Sequence, residues 1–396
     1  MSIDCSSLYQ PLSADTINDP YPTYSRLQLE TPVVWDEDLF AWVISRHRDC
    51  RQVLQNPTIF TRDRRKLGRP MPLEGMSIQS YDPPEQIELR QALLNALRRV
   101  DVDLVSHQAC DQILPLIQAQ TKSFNFMPSI AAPVALHFAC TLVGVQNLTL
   151  STYMSIFDRL TRSMDSALDS DRHDLGVEAT HELNDIIHNA RPSARPGSVI
   201  FELDAMPNVP NMPTAYVRNT LSATFNAAYS TAYSSMGSFL ELVLNRPELA
   251  QQIATTDNIA VAVQELLRFT CPAQSTRRFA TTETVIGDKT IHQNDPILIL
   301  MAAANRDPEV FERPNELILH RTPNPHLSFG FGPHHCAGAR PAAQFLGVYI
   351  SKLASWVPSI MYAGSCSWME SFTLRCLDNL PLIRKDVREK YEENVK

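Results

Sequence analysis

Apolar positions recur at helical spacing through most of the chain, and strand-like alternation is confined to a few short stretches. The spacing predicts a helix from about Pro84 to Arg99, opening on Pro-Pro-Glu, a pattern that suits a helix start. Further helices are predicted over about 103–119, 129–144, 149–168, 175–190 and 257–269. From Pro213 to Leu244 the helical spacing persists for about 32 residues, until Pro247 ends it. A helix of that length can cross a whole domain. A last long helix is predicted from about Cys336 to Trp356. PVVWDEDLFAWVISR reads as two short strands around an Asp-Glu-Asp turn, and 276–325 mixes short strands, turns and prolines. The expected fold class is α+β, mainly α with small β-sheets, in one domain over 1–396.

Composition narrows the function. With 396 residues, 44% of them hydrophobic, the chain can bury a core around a sizeable cofactor. A net charge of −8 argues against a general nucleic-acid binder, whose affinity rests on neutralising phosphates. No apolar run reaches the ~20 residues of a membrane span, and the first residues lack a signal-peptide pattern. The expectation is a cytoplasmic protein with no membrane anchor. The eight cysteines at 5, 50, 110, 140, 271, 336, 366 and 376 form no CxxC pair, which disfavours zinc and iron–sulfur sites and leaves reduced thiols as the expectation.

One cysteine stands apart. In Phe329-Gly330-Phe331-Gly332-Pro333-His334-His335-Cys336-Ala337-Gly338, glycines flank a cysteine placed just before a long apolar helix. Glycines permit close backbone approach, and a helix start offers free N–H groups and partial positive charge. Both favour a thiolate over a thiol. Heme iron with a cysteine ligand meets that description.

This loop carries FGxGxHxCxG and resembles the heme-binding signature of the cytochrome P450 family. The resemblance extends over most of the chain. Glu265-Leu266-Leu267-Arg268 is similar to the family's ExxR, and PNELILHR puts Arg321 where the family supplies a second arginine to that glutamate. An isolated ExxR is an ordinary i,i+3 surface pair; beside the cysteine loop it implies a buried network bracing that loop. ANRDPEVFERP, NPHLSFG and LRCLDNLPL also match family segments. The resemblance implies the cytochrome P450 fold, with heme b between the long central helix and the helix after the cysteine loop. It also implies Cys336 as the iron ligand, with Phe329, Gly330 and Gly338 shaping its loop. Gln86, Arg90, Arg278 and His334 stand where relatives hold the propionates, Gln86 replacing a more usual His or Trp.

The family usually carries [AG]-G-x-[DE]-T-[TS] midway along its longest helix. Counting back from Pro247 puts Thr231 at the threonine, Ser230 at the acid and Ala228 at the glycine. Serine relays a proton but supplies no charge near neutral pH. Ordinary monooxygenation and less common chemistry (coupling, ring closure, desaturation, nitration, peroxide-driven oxidation) both remain open. Ala223, Phe225, Ala227, Phe372 and Thr373 are candidate pocket residues, with the loop at 66–80 and residues 272–276; Tyr229 reads as core packing. No flavin or nicotinamide fingerprint is present, so a small-molecule substrate and external donors such as a ferredoxin and its reductase are implied. Arg98, Arg99 and Arg340 are candidates for a basic docking patch. A peroxygenase or rearrangement enzyme, and a non-catalytic recruiter of partners, are the competing readings.

Overall fold

The computed structural model describes residues 9–165 and 171–388. The central helix, Thr214–Asn245, has 32 residues. Arg246 ends it, and Pro247 opens the next helix, Pro247–Ala254, at a position where its missing N–H costs nothing. Around it pack Ala132–Val143, the long helix Asp171–Ala190 and the cysteine helix Ala339–Trp356.

The expected strand pair is Val33–Asp36 with Ala41–Ile44, antiparallel, Val33 facing Ile44. Asp36 Oδ1 accepts the N–H groups of Asp38 (3.1 Å) and Leu39 (2.9 Å), which fixes the turn. A parallel pairing of Trp42 with Ile297 adds strand Pro296–Leu300. Ser275–Ala280 follows antiparallel, and Phe60–Thr61 closes a five-stranded sheet. This sheet puts Thr61 and Arg278 on neighbouring strands, which matters below. One hydrophobic cluster is mainly helical; a second gathers around this sheet.

Several predicted boundaries move: the helix expected over 149–168 is Leu150–Ser163, with 166–168 outside the described residues, and the one expected from 175 starts at Asp171. The helix expected over 103–119 is two, Val102–Cys110 and Ile113–Gln118. Pro115 has no N–H to give Asp111, so the ladder breaks and the chain tightens there. The cysteine helix starts at Ala339, not Cys336. Gly338 is its cap, and the cysteine sits on the turn before it.

Candidate active site

Ordinary helix physics brings one face of the central helix over a cavity of about 320 Å3. Ala223, Ala227, Thr231 and Ser235 recur every fourth residue and all line it, with Ala228 and Ala232 beside them. Small side chains there leave room above the cysteine loop. Cys336 lines the opposite wall, with Phe329, Gly330 and Gly338. It has exposed surface although it sits deep in the protein, because it faces the cavity.

The loop holds the cysteine through its backbone. Cys336 N–H donates to Phe329 O (2.8 Å), Gly330 N–H to Leu327 O (2.8 Å) and His335 N–H to Gly332 O (2.9 Å). Gly330 and Gly332 have φ of 68° and 73°. A Cβ on Gly332 would lie 2.6 Å from Leu54 O, so glycine is required on both counts. Burial raises the Cys336 thiol above its ordinary range; the Gly338 N–H and the Arg90 guanidinium act against it. The helix start, three residues further on, contributes less than the sequence implied.

Behind the loop lies the ExxR network. Arg268 donates to both oxygens of Glu265 at 2.8 Å, Arg321 Nε to both at 3.1 Å, and Ile318 N–H to Oε1 at 2.8 Å. Arg268 also donates to Asn305 O (2.8 Å). The Asn305 side chain in turn accepts from Leu327 N–H (2.7 Å) and donates to Ser328 Oγ (2.8 Å). Asn305 is therefore the link from the network to the loop; its side-chain partners lie more than twenty residues away, so no local pattern marked it.

At the other edge, Arg90, Arg278 and His334 line the cavity. Arg90 Nη2 donates to His335 O. Gln86 is buried outside the lining, its Oε1 without a partner among the described residues and its Nε2 3.5 Å from His334 Nε2. Two residues here were not anticipated. Asp82 is fully buried and bonds to His334 Nε2 (2.8 Å), Lys66 Nζ (3.1 Å) and Thr61 Oγ1. Burial opposes its charge, but the bonds from His334, Thr61 and Lys66 outweigh it and hold the carboxyl well below the usual range. Arg62 also lines the cavity. A cavity with a thiol on one wall, guanidiniums at one edge and apolar walls elsewhere has the donor set for a porphyrin bearing two carboxylates and an iron that takes sulfur.

Several predicted residues lie elsewhere. Ser230, one position from Thr231, is turned about 100° away and is buried outside the lining. Phe225, two positions from Ala223, is buried edge-on against Tyr153 at 5.0 Å. Phe372 and Thr373 do not line the cavity: Asp165 accepts their N–H groups at 3.3 and 3.2 Å, and Thr373 O accepts from Gln274 N–H. Tyr229 stacks on Tyr233 (5.5 Å, 17°) away from the cavity. Of the 66–80 loop, Ile78 and Gln79 reach the lining; Pro272, Ala273, Ser275 and Thr276 do so from 272–276.

Comparison with known proteins agrees with this geometry. A family model for Cytochrome P450 matches residues 259–353. "Polyketide biosynthesis cytochrome P450 PksS" of Bacillus subtilis is 26% identical over 95% of this chain and 98% of that protein. "Mycinamicin IV hydroxylase/epoxidase" of Micromonospora griseorubida is 27% identical over 87% of this chain and 89% of that protein. The solved structure of PksS, a bacillaene polyketide synthase cytochrome P450 from Bacillus subtilis 168, superposes with a TM-score of 0.82 at 24% identity, covering 94% of this chain and 99% of that one. Fold and relatives together define a heme-dependent oxidoreductase of bacterial type. The chain is similar to the cytochrome P450 family over most of its length, and its cofactor is heme b. Cytochrome P450 monooxygenases generally take a small-molecule substrate and redox partners. Among the described residues no helix is long and apolar enough to cross a membrane.

Proposed function

We propose that this enzyme oxidises a natural-product intermediate, polyketide or macrolide in character, with dioxygen and electrons from a separate ferredoxin and its reductase. The observation that carries the reading is the cavity itself, with the Cys336 thiol on one wall and the Thr231 face of the central helix on the other. The substrate class is supported by the names of the relatives, two of which act in polyketide biosynthesis or on mycinamicin IV.

Heme held by Cys336 supplies an electron-rich iron for oxygen activation. The chain's own residues do the rest. Arg278 meets the carboxylate edge with Arg90 and His334 beside it, and Asp82 Oδ1 orients His334 by accepting from its Nε2–H, with Gln86 packed behind. The Glu265–Arg268–Arg321 network keeps the cysteine loop rigid through Asn305. Phe329 and the glycines at 330 and 338 shape the loop around the sulfur. Thr231 lines the cavity and its Oγ1 donates to Ala227 O at 2.7 Å, leaving its lone pairs free to take a proton and pass one on. Ser230 faces away, so the proton supply runs through Thr231 and water, with a hydroxyl or carboxyl of the substrate as a further source. Hydroxylation or epoxidation is the reading this favours; coupling, ring closure, desaturation or nitration would follow if the substrate's own groups take over. Arg98 and Arg99 are exposed at the end of helix Ile87–Arg99, and with Arg340 they form the surface proposed to meet the acidic ferredoxin.

The test is to titrate the holoenzyme with macrolactones and linear polyketide intermediates, following the heme spin state, and to run hits with 18O2, ferredoxin and reductase. One 18O atom in the product supports the reading. Equal turnover with hydrogen peroxide alone points instead to a peroxygenase. An isomerised product without new oxygen points to a rearrangement enzyme, and a protein that purifies without heme to a non-catalytic role.

A further inference from the structure

The run Arg62-Asp63-Arg64-Arg65-Lys66 follows strand Phe60–Thr61. Two of its cations have acidic partners: Arg65 pairs with Asp63 (2.5 Å) and Lys66 with Asp82 (3.1 Å). Arg64 is exposed. Arg62 is neither paired nor released to solvent. Its guanidinium lines the cavity beside Arg278 and has no hydrogen-bond partner among the described residues. The backbone around it is fixed. Arg62 N–H donates to Asp82 Oδ1 (3.4 Å), Asp63 N–H to Thr61 Oγ1 (2.8 Å), and both Thr61 and Asp63 are buried.

Arg278, 2% exposed, spends only Nη1, on Arg277 O (2.8 Å) and Thr276 Oγ1 (3.4 Å). The Arg62 charge acts on it as a repulsion. Two guanidiniums that line one cavity and repel each other there are unfavourable unless an anion joins them. Asp82 does not meet the need, because its oxygens are engaged by His334, Thr61 and Lys66. Of the cations at this edge, Lys66 answers Asp82 and Arg90 answers the Cys336 sulfur and His335 O, which leaves Arg62 and Arg278 unanswered. Two positive charges are left over, and heme b carries two carboxylates.

We propose that Arg62 is a cofactor-binding residue, and that with Arg278 it clamps the heme propionates from the edge of the five-stranded sheet. This rests on the heme-thiolate reading above. Arg62 takes one propionate and Arg278 the other, Asp82 serving to hold Arg62's backbone and His334 in place. Arg90 then answers the Cys336 thiolate and the loop carbonyl of His335, and is not the main propionate partner.

The test compares wild type, Arg62→Leu and Arg62→Lys as holoenzymes, by the rate of heme transfer to excess apomyoglobin. Arg62→Leu should release heme on the order of tenfold faster, and Arg62→Lys, which keeps the charge without the planar fork, should fall between. The three are then reconstituted with heme whose propionates are methyl esters. The differences between them should collapse, since the charge Arg62 answers is gone. Equal release rates with natural heme would overturn the proposal. So would a penalty that persists with the ester, which would make Arg62 merely structural. If the leucine variant does not fold, the lysine variant gives the same two comparisons. A wild-type protein that binds neither heme would instead refute the heme-thiolate reading.

Discussion

Arg268 grips Glu265 through two parallel hydrogen bonds of 2.8 Å, and neither side chain is exposed to solvent. A carboxylate buried this completely is tolerable only because Arg321, Asn324 and the Ile318 N–H also donate to it. Glu265→Gln keeps the shape and removes the charge, leaving two buried guanidiniums without a counter-ion. The cost should be about 3–5 kcal/mol, read as a lower urea midpoint, and heme occupancy should fall because Asn305 no longer fixes the cysteine loop.

Gly332→Ala should also loosen that loop, from the opposite side. The new Cβ would meet Leu54 O at 2.6 Å and Gln55 Cα at 2.9 Å, both backbone atoms that yield only by moving the helix His47–Gln55. The positive φ adds strain. A loss of about 2 kcal/mol or more is expected. Gly68→Ala, also at positive φ but with open space around it, should cost less; equal costs would show that the close approach is unimportant.

Thr231→Ala should divert reductant from product to peroxide or water. Product per reductant consumed should fall on the order of tenfold, and Thr231→Ser should restore most of it. Ser230→Asp should not help. Position 230 is 4% exposed and off the cavity, so a carboxylate there is buried without a partner and lowers stability by several kcal/mol. An Asp at 230 that improved coupling without loss of stability would mean the helix face is assigned wrongly.

His326 gives a pH signature. Burial, with the Arg268 charge behind it, pushes its imidazole down to about 4. The ring bonds to Gln264 Oε1 (2.9 Å) through Nε2 and accepts from Ser328 N–H (3.2 Å) at Nδ1, an arrangement that requires the neutral form protonated on Nε2. The unfolded chain protonates near pH 6.5 and the folded one does not. Stability is therefore unaffected above that pH, falls as pH drops from about 6.5 to 4, and falls no further below. The contribution is at most about 3 kcal/mol. Urea midpoints at pH 7.5 and 5.0 should differ less in His326→Gln than in wild type.

What could be read in the sequence was what is local. Cys336 and its glycines sit within ten residues, Glu265 and Arg268 within one turn, and the 32-residue helix declares itself by spacing and by Pro247. What could not be read depends on contacts between distant segments. Asp82 acquires its role from Thr61 and His334, 21 and 252 residues away, and Arg62 acquires its own from a strand pairing of Phe60 with Ala280. Side-chain direction was the other loss. A motif aligned to the central helix names Ser230 and Thr231 together, yet a rotation of about 100° per residue lets only one of them see the cavity. Phe225 was misplaced for the same reason, and Phe372 because the hold of Asp165 on its turn spans 207 residues.

The central claim is that the sulfur of Cys336 would hold the heme iron. It is tested most directly by the absorption spectrum of the reduced carbon monoxide complex. Wild type should show the strongly red-shifted Soret band that a thiolate ligand produces, and Cys336→Ser should lose it while the other seven cysteines remain. A variant that keeps the band, or a wild type that never shows it, would contradict the account.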